Sequence, residues 1–138
     1  MGGFEGAGLV ALVGVTHGDT PEIATRLAAK INGLRIFQAH HAPAGSPTHP
    51  DSSGELSAGD LNLPVLVISQ FTLYADTRKG RRPTWDNAAP GDVAEPLITV
   101  VVDQLHALGL PVSTGKFGAD MLVTFTNDGP ITIILDVD

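Results

Sequence analysis

Two stretches of the sequence place small polar side chains next to an apolar run, and these residue types could support chemistry. Ser69, Gln70 and Thr72 follow the β-branched run 64–68, which is typical of a strand buried on both faces. Near the other end, the stretch 127–132 reads NDGPIT, and its Gly129-Pro130 pair lies between the apolar runs 121–126 and 131–137. An unpaired polar group at the end of a buried strand costs roughly 1–3 kcal/mol. Burial alone therefore leaves two interpretations open, a structural hydrogen-bond network or a site.

The candidate nucleophiles are hydroxyl groups without an obvious base. Thr72 and Thr132 both carry a hydroxyl, but a hydroxyl needs an adjacent base before it attacks. No Ser-His-Asp triad is evident. His17 lies at a predicted strand end and is either a base or, as is more common, a structural residue. Asp76 and Asp128 are the nearest acids in sequence, and loop hydrogen bonding explains both equally well.

The positive charge of the chain is concentrated behind the first stretch. Four of the eight Lys and Arg residues fall within positions 78–82: Arg78, Lys79, Arg81 and Arg82. The net charge of −7 argues against sequence-blind coating of nucleic acid, which needs an overall basic footprint. The run is therefore either a solvated loop or a patch that contacts phosphate. An acidic body with one basic edge suits a single docked nucleic-acid end better than a long duplex.

These motifs resemble those of a known family. Residues 69–72 (SQFT) resemble the SQxT motif of the D-aminoacyl-tRNA deacylases, also called D-tyrosyl-tRNA(Tyr) deacylases, and residues 127–132 resemble their NxGPxT motif. The similarity extends to 14–19, 34–37, 75–83 and 115–121, and it covers nearly the whole chain from Gly8 to Asp136. Either motif alone is a weak signal, but both in order with matching flanks are a strong one.

The resemblance implies a homodimeric hydrolase that cuts the ester between a D-amino acid and the 3′ end of a tRNA. The site would lie where two subunits meet, with no cofactor and no metal. It implies a tRNA-binding group, which is the basic residues of 78–82. The implied catalytic group is Ser69, Gln70, Phe71 and Thr72, and the implied substrate-binding group is Asn127, Gly129, Pro130 and Thr132.

The resemblance also implies a mechanism without a triad. The aminoacyl ester is already activated, the neighbouring ribose hydroxyl assists attack by water, and Thr72 lines the pocket. Backbone N–H groups around residues 70–72 would stabilise the oxyanion, and one such donor is typically worth about 10²–10³ in rate. A bond before proline is the common place for a cis peptide, although a tight turn alone explains Gly129-Pro130. In the family, the carbonyl groups of this loop select D-residues by excluding L side chains, so glycyl-tRNA should also be cleaved.

The main departure from the family lies at the start of the chain. Family members carry an upstream stretch that begins with a strand containing Gln-Arg-Val, whose Arg helps to hold the Gly-Pro loop. This sequence lacks it, which we interpret as a misassigned start codon or a trimmed chain rather than a natural variant. A sheet with a missing strand exposes unpaired backbone groups. The alternative function is therefore a non-catalytic module that binds a tRNA end; a general esterase is a third option, which nothing in the sequence recommends.

Composition and length set limits on the class of protein. A chain of 138 residues with 43% apolar residues predicts one folded domain, residues 1–138. No apolar run approaches the roughly 18 residues of a membrane span, and the Gly-rich start does not resemble a signal peptide. The absence of cysteine fits a reducing compartment, so we expect a cytoplasmic protein.

The pattern of apolar residues predicts the order β-α-β-loop-β-α-β-β-β. This order favours an α+β fold with a mostly antiparallel, barrel-like sheet and two outer helices. The predicted strands are 8–15, 34–38, 64–68, 111–117, 121–126 and 131–137. The first helix would begin at 19–22 and bury Ile23, Leu27, Ile31 and Leu34. The second would begin at 92–95, keep Pro96 in its first turn, and bury Val93, Leu97, Val101, Leu105 and Leu108.

Two further features leave alternatives open. Residues 39–62 are rich in Pro, Gly and Ser, and they contain His40, His41 and His49. These histidines are either metal ligands or incidental members of a flexible loop, and their spacing matches no ligand pattern. Trp85 either packs at the base of a loop or stacks on a nucleic-acid base.

Overall fold

The computed structural model describes residues 2–45 and 55–138, which form a mixed α/β fold. A parallel sheet with the strand order β1-β4-β5 lies at its centre, and β2 and β3 form a separate antiparallel pair. The strands are β1 Leu9–Val13, β2 Arg35–Phe37, β3 Leu56–Ser57, β4 Val65–Ser69 and β5 Val112–Thr114. The helices are α1 Pro21–Gly33, α2 Ala58–Leu61 and α3 Gly91–Ala107, with 3-10 helices at Ala39–His41 and Phe71–Tyr74.

The two long helices explain why the central strands run parallel. Helix α1 lies on the connection between β1 and β4, and α3 connects β4 to β5. Parallel neighbours need such crossovers, whereas antiparallel neighbours can be joined by a tight turn. The central strand β4 is covered on both faces, so Val65, Val67 and Ile68 are all buried. Its last residue, Ser69, pairs with Val13 at the end of β1.

The predicted helix starts are close to the observed ones. Thr20 caps α1 because its hydroxyl accepts from the Ile23 N–H at 3.3 Å, and Pro21 occupies the first turn. The residues that α1 buries are Ala24, Ala28 and Ile31, and those that α3 buries are Ala94, Leu97, Ile98, Val101 and Leu105.

Helix α3 differs from the prediction in its first turns. It begins at Gly91, so Pro96 lies in the second turn, where its missing N–H leaves the Asp92 carbonyl without a helical partner. The buried face is also shifted, because Val93 and Leu108 are exposed.

The prediction of one fold that combines helices and strands is confirmed, the predicted mostly antiparallel sheet with two outer helices is wrong, and barrel-like closure is not confirmed. The central sheet is parallel and does not close, and the described residues contain a third helix.

Part of the predicted loop 39–62 is ordered as well, because Ala39–His41, β3 and α2 fall within it. Helix α2 forms because Ser57 and Asp60 cap each other, with the Asp60 N–H bonded to Ser57 Oγ at 3.0 Å and the Ser57 N–H bonded to Asp60 Oδ2 at 2.9 Å.

The two strands predicted at 121–126 and 131–137 are absent from the described part of the chain. A strand needs a neighbour that accepts its backbone hydrogen bonds, and no described strand pairs with this segment. Its large apolar side chains are consequently open to solvent, with Leu122 99% exposed and Ile134 86% exposed. Only one described residue of the segment, Leu135, packs against the core.

No helix in the described ranges has the length and hydropathy that crossing a membrane requires. The buried apolar residues of the sheet, α1, α2 and α3 form one hydrophobic cluster. The ends of β1 and β4 at one edge of this cluster therefore provide a fixed base for the polar stretch that follows Ser69.

Candidate functional site

The first predicted stretch forms a tight turn at the end of the central strand. The Gln70 N–H continues the sheet by donating to the Val13 carbonyl at 2.8 Å, and the chain then enters the 3-10 helix Phe71–Tyr74. The turn lies close to Gly14, where a Cβ atom would be 3.1 Å from Tyr74 Cδ2 and 3.2 Å from Leu73 Cβ. A larger residue at position 14 would therefore displace the turn.

The polar groups of this turn are arranged around Thr72. Gln70 Nε2 donates to Thr72 Oγ1, so the threonine hydroxyl acts as an acceptor there. No described carboxylate or imidazole forms a hydrogen bond with Thr72, so the turn provides no base for a threonine nucleophile. The N–H groups of Phe71 and Thr72 open the 3-10 helix, and they have no acceptor among the described residues. Of the three expected donors, the Gln70 N–H is used inside the fold and the other two are available.

A small cavity lies on the other side of the turn. Tyr74 lines it together with Asp19 of the α1 entry and Asp136 of the C-terminal segment. Burial raises the pKa of the Tyr74 hydroxyl, and the nearby carboxylates of Asp19 and Asp136 raise it further. Tyr74 is therefore a neutral phenol that supports the turn from beneath.

The basic run lies on a loop that two backbone hydrogen bonds close. Asp76 and Thr84 exchange N–H···O bonds of 2.9 Å each across its base. Arg78 folds back onto Asp76, with Nη2 2.7 Å from Oδ2 and Nε 3.0 Å from Oδ1. These hydrogen bonds lower the pKa of Asp76 to about 2. Within the described ranges no carboxylate pairs with the three other cations of the loop, Lys79, Arg81 and Arg82.

Trp85 connects the basic loop to the turn. Its ring packs edge-on against Phe71, with the ring centroids 5.3 Å apart and an interplanar angle of 79°. Trp85 therefore packs against the turn, and its stacking on a nucleic-acid base stays a prediction. Both rings remain exposed, so the basic loop and the turn share one continuous surface.

The second predicted stretch forms a turn whose shape depends on Asn127. Asn127 Oδ1 accepts from the Ile131 N–H at 3.0 Å, while Asn127 Nδ2 donates to Thr132 Oγ1 at 2.8 Å. This explains the spacing of the asparagine and the threonine in the motif. The peptide bond between Gly129 and Pro130 is cis, and the φ angle of Gly129 is +137°. We refer to residues 127–132 as the Gly-Pro loop, and they are exposed throughout.

The sequence analysis missed one residue that contacts the Gly-Pro loop. His41 Nε2 lies 3.4 Å from Asp128 Oδ2, so one of the histidines interpreted as incidental makes a polar contact with the loop. The spacing of Gln38 and His41 was the available signal, because their mutual capping builds the 3-10 helix Ala39–His41. His49 lies outside the described residues. No group of three or more His, Cys, Asp or Glu that could hold a metal occurs in the ranges that the structure covers.

His17 has a structural role. Its Nε2 lies 2.7 Å from the Asp86 carbonyl oxygen, and since a carbonyl can only accept, Nε2 carries the proton. The neighbouring Thr16 hydroxyl donates to the Asn87 carbonyl at 2.6 Å. These bonds attach the end of β1 to the segment that follows the basic loop. The ring nitrogen that faces Asp86 is therefore not available as a base.

No polar or ring contact joins the two motif stretches within the described part of the chain. The hydrogen bonds, ion pairs and ring contacts of the described residues include none that joins 69–72 to 127–132. Among the described residues, the first stretch offers main-chain donors, an aromatic pair and cations without a carboxylate partner, and the second offers an exposed loop. Each is preorganised by its own side-chain hydrogen bonds.

Comparison with known proteins identifies the family. The family model described as D-Tyr-tRNA(Tyr) deacylase matches residues 3–136. The chain is 54% identical over 137 residues to a D-aminoacyl-tRNA deacylase of Streptomyces griseus, covering 99% of this chain and 82% of that protein. It is 53% identical over 138 residues to the protein of the same name from Cutibacterium acnes, covering 100% of this chain and 85% of that protein.

Two solved structures have a similar fold. One is the c-Myc DNA Unwinding Element Binding Protein, with a TM-score of 0.74 and 33% identity over 90% of this chain and 78% of that chain. The other is a probable eukaryotic D-amino acid tRNA deacylase, with a TM-score of 0.60 over 81% of this chain and 75% of that chain. At 15% identity, the second likeness supports the fold alone. From the match to the family model and the identity to the two named relatives, we conclude that this chain belongs to the D-Tyr-tRNA(Tyr) deacylase family.

Proposed function

We propose that this chain hydrolyses the ester bond of D-aminoacyl-tRNA and releases the free D-amino acid and tRNA. The observation that carries the proposal is the pair of unused N–H groups of Phe71 and Thr72 at the end of the central strand. They open onto the surface that bears the basic loop, as expected for a site that receives the charged 3′ end of a nucleic acid. In a family whose members are named as deacylases, such donors would bind the oxyanion of acyl transfer.

The chemical step requires little from the protein. Water attacks the acyl carbon, the ester C–O bond breaks, and the 3′ oxygen of the ribose leaves with a proton that the adjacent 2′ hydroxyl helps to transfer. The N–H groups of Phe71 and Thr72 stabilise the developing negative charge, and positioning of the ester contributes further. Gln70 orients the Thr72 hydroxyl as part of the pocket wall.

The Gly-Pro loop supplies the selection between D and L residues in this proposal. Its carbonyl oxygens accept the α-amino group of a bound D-residue, whereas an L side chain would collide with the loop. The support is the internal bracing by Asn127, which holds the backbone of the loop in one shape. Glycine has no side chain to exclude, so glycyl-tRNA is also a substrate.

The site is completed by a second copy of the chain. The Gly-Pro loop makes no hydrogen bond or ion pair with the described turn 69–72 of its own chain, so we place it in the pocket of the partner subunit. The exposed apolar residues of the same segment support a homodimer, because an apolar surface of this kind marks an interaction site. They are Met121, Leu122, Val123, Phe125, Ile131, Ile133 and Ile134.

The basic loop holds the tRNA in this proposal. No described carboxylate pairs with its three cations Lys79, Arg81 and Arg82, and the loop that carries them leads directly into Trp85. They would contact backbone phosphates near the 3′ end, which position the nucleic acid without reading its sequence. This role assigns the protein to the compartment that holds charged tRNA, the cytoplasm.

The proposal is tested with purified protein and two matched substrates, D-tyrosyl-tRNA and L-tyrosyl-tRNA. We expect free D-tyrosine to be released and the L ester to be spared; equal rates on the two would refute chiral selection. Tight tRNA binding without cleavage of either ester would instead support the non-catalytic binding module.

The role of the ribose hydroxyl is tested on the same D-tyrosyl ester carried by a tRNA that ends in 2′-deoxyadenosine. We expect cleavage to be strongly slowed by the missing hydroxyl, while Thr72→Ala retains substantial activity on the normal substrate. Complete loss of activity in Thr72→Ala with the fold intact would indicate a threonine nucleophile instead.

A further inference from the structure

We propose that His41 is a positioning residue that sets the orientation of the Gly-Pro loop through its contact with Asp128. The inference rests on the proposed function, because it assigns His41 a part in presenting that loop to the substrate. It concerns a residue on a segment far from both motifs in the sequence.

His41 is the fixed partner of this contact. Its side chain is 19% exposed, whereas that of Asp128 is 79% exposed. The Gln38 N–H donates to His41 Nδ1 at 2.9 Å, and the buried ring of Phe37 meets the imidazole edge-on with centroids 5.6 Å apart. Two contacts thus orient the imidazole before Asp128 reaches it, so the histidine determines where the carboxylate lies.

The same hydrogen bond fixes the tautomer of His41. Because Nδ1 accepts the Gln38 N–H, it carries a lone pair, and the proton of the neutral ring must lie on Nε2. Nε2 is the atom that lies 3.4 Å from Asp128 Oδ2. Nε2 is therefore the ring nitrogen that faces the carboxylate, while Nδ1 is held by the main chain.

This contact is the polar link between the Gly-Pro loop and the body of the protein. The hydrogen bonds of Asn127 stay inside the loop, so they fix its shape but not its direction. Of the hydrogen bonds and ion pairs in the described ranges, the His41 contact is the one that joins 127–132 to another element. A loop that selects D-residues by excluding L side chains must be held in direction as well as in shape.

The exposure of Asp128 sets the size of the expected effect. Exposed ion pairs are worth a fraction of one kcal/mol, so losing this one should reduce the population of correctly directed loops by about two- to fivefold. The loss should appear mainly in kcat, because the loop is proposed to act on the reacting end while the basic loop holds the tRNA. The thermal midpoint should change little, since both residues lie outside the hydrophobic cluster.

The first test is a double-mutant cycle on D-tyrosyl-tRNA cleavage. His41→Asn retains an oxygen near the position of Nδ1, which preserves the acceptor for Gln38, but it is too short to reach Asp128. We expect His41→Asn and Asp128→Ala each to lower kcat about two- to fivefold with KM unchanged, and the double variant to be no slower than the slower single variant. Wild-type kcat in both single variants, or multiplicative losses in the double variant, would overturn the inference.

His40→Ala is the matched control. The His40 ring lies 4.0 Å from the ring of His41, yet His40 forms no ion pair with Asp128. We expect this variant to cleave at the wild-type rate. A loss equal to that of His41→Asn would assign the effect to packing of the histidine pair and would refute a specific role of His41.

The second test does not require activity. NMR order parameters of the backbone amides of Asp128 and Ile131 report reorientation of the Gly-Pro loop relative to the body of the protein. We expect them to be lower in His41→Asn than in the wild type and in His40→Ala, because the loop loses its link to the body while the Asn127 hydrogen bonds inside it remain. Unchanged order parameters overturn the inference whatever the enzyme does. Lower order parameters in a protein that cleaves neither tyrosyl ester support the inference and refute the proposed function.

Discussion

Gly129→Ala tests whether the conformation of the Gly-Pro loop is required for activity. The φ angle of Gly129 is +137°, a region that residues with a Cβ atom rarely enter. An added Cβ atom would also lie 2.8 Å from Ile131 Cγ1 and 2.9 Å from Ile131 N. Rotation of the isoleucine side chain relieves the first contact but not the second, because the nitrogen belongs to the backbone. The loop must therefore change shape to accept alanine.

The cost of this change follows from the backbone angle. A residue other than glycine in such a region costs of order 1–3 kcal/mol. If the alternative loop shape is inactive, the population of the active shape falls by about 5- to 150-fold, since 1.4 kcal/mol corresponds to a factor of ten. The thermal midpoint should change little, because the loop is exposed and makes no contribution to the hydrophobic cluster.

The assay compares kcat/KM on D-tyrosyl-tRNA with the thermal midpoint of each variant. Gly109→Ala is the control, since Gly109 has a φ angle of +93° and no atom within 4 Å of an added Cβ. It lies after α3, so its strain should lower the free energy of unfolding by about 1–2 kcal/mol and leave kcat/KM unchanged. Wild-type kcat/KM in Gly129→Ala would refute the reasoning, because the loop shape would then not matter for cleavage.

Three further predictions concern the basic loop and the subunit contact. The variants Lys79→Ala, Arg81→Ala and Arg82→Ala should each weaken tRNA binding, and each should reduce the slope of log K against log salt by roughly 0.7–0.9, measured by titration at several salt concentrations. Arg78→Ala should have a smaller effect, because Arg78 is held by Asp76. Equal slopes for all four variants would contradict this. The Asp76 carboxyl should titrate at a pKa of about 2 by NMR, below its ordinary value of 3.8. Because its folded-state pKa is lowered, the stabilisation is present above about 3.8 and is lost as the pH falls through about 2, and Arg78→Ala should restore the ordinary value. Leu122→Asp and Ile134→Asp should each convert dimers to monomers by analytical ultracentrifugation, and a wild-type monomer would refute the proposed homodimer.

Local features of the fold were predictable because short-range chemistry determines them. Thr20 supplies a capping oxygen and Pro21 lacks an N–H, and together they identify the start of α1. Each of these effects is confined to the first turn of the helix. The cis bond before Pro130 agrees with what the family resemblance implied, whereas the residues alone fit a plain tight turn as well. The side-chain hydrogen bonds of Asn127 likewise span only five positions.

The features that sequence reasoning missed depend on distant parts of the chain. The parallel order of β1, β4 and β5 follows from how α1 and α3 pack, whereas alternating apolar residues alone fit an antiparallel sheet as well. The runs 121–126 and 131–137 carry a strand pattern, but a pattern forms no strand without a neighbour to accept its hydrogen bonds. The contact between His41 and Asp128 joins residues from two segments that no local pattern connects.

In the proposed function, the Gly-Pro loop selects substrates by excluding an L side chain. The most direct measurement compares glycyl-tRNA, D-alanyl-tRNA and L-alanyl-tRNA in parallel reactions with the same enzyme preparation. Glycine and L-alanine differ by a single methyl group, so the ratio of the two cleavage rates isolates the effect of the collision between an L side chain and the Gly-Pro loop. We predict that the glycyl and D-alanyl esters are cleaved at similar rates and the L-alanyl ester is spared. Cleavage of L-alanyl-tRNA at the rate of glycyl-tRNA would contradict the account.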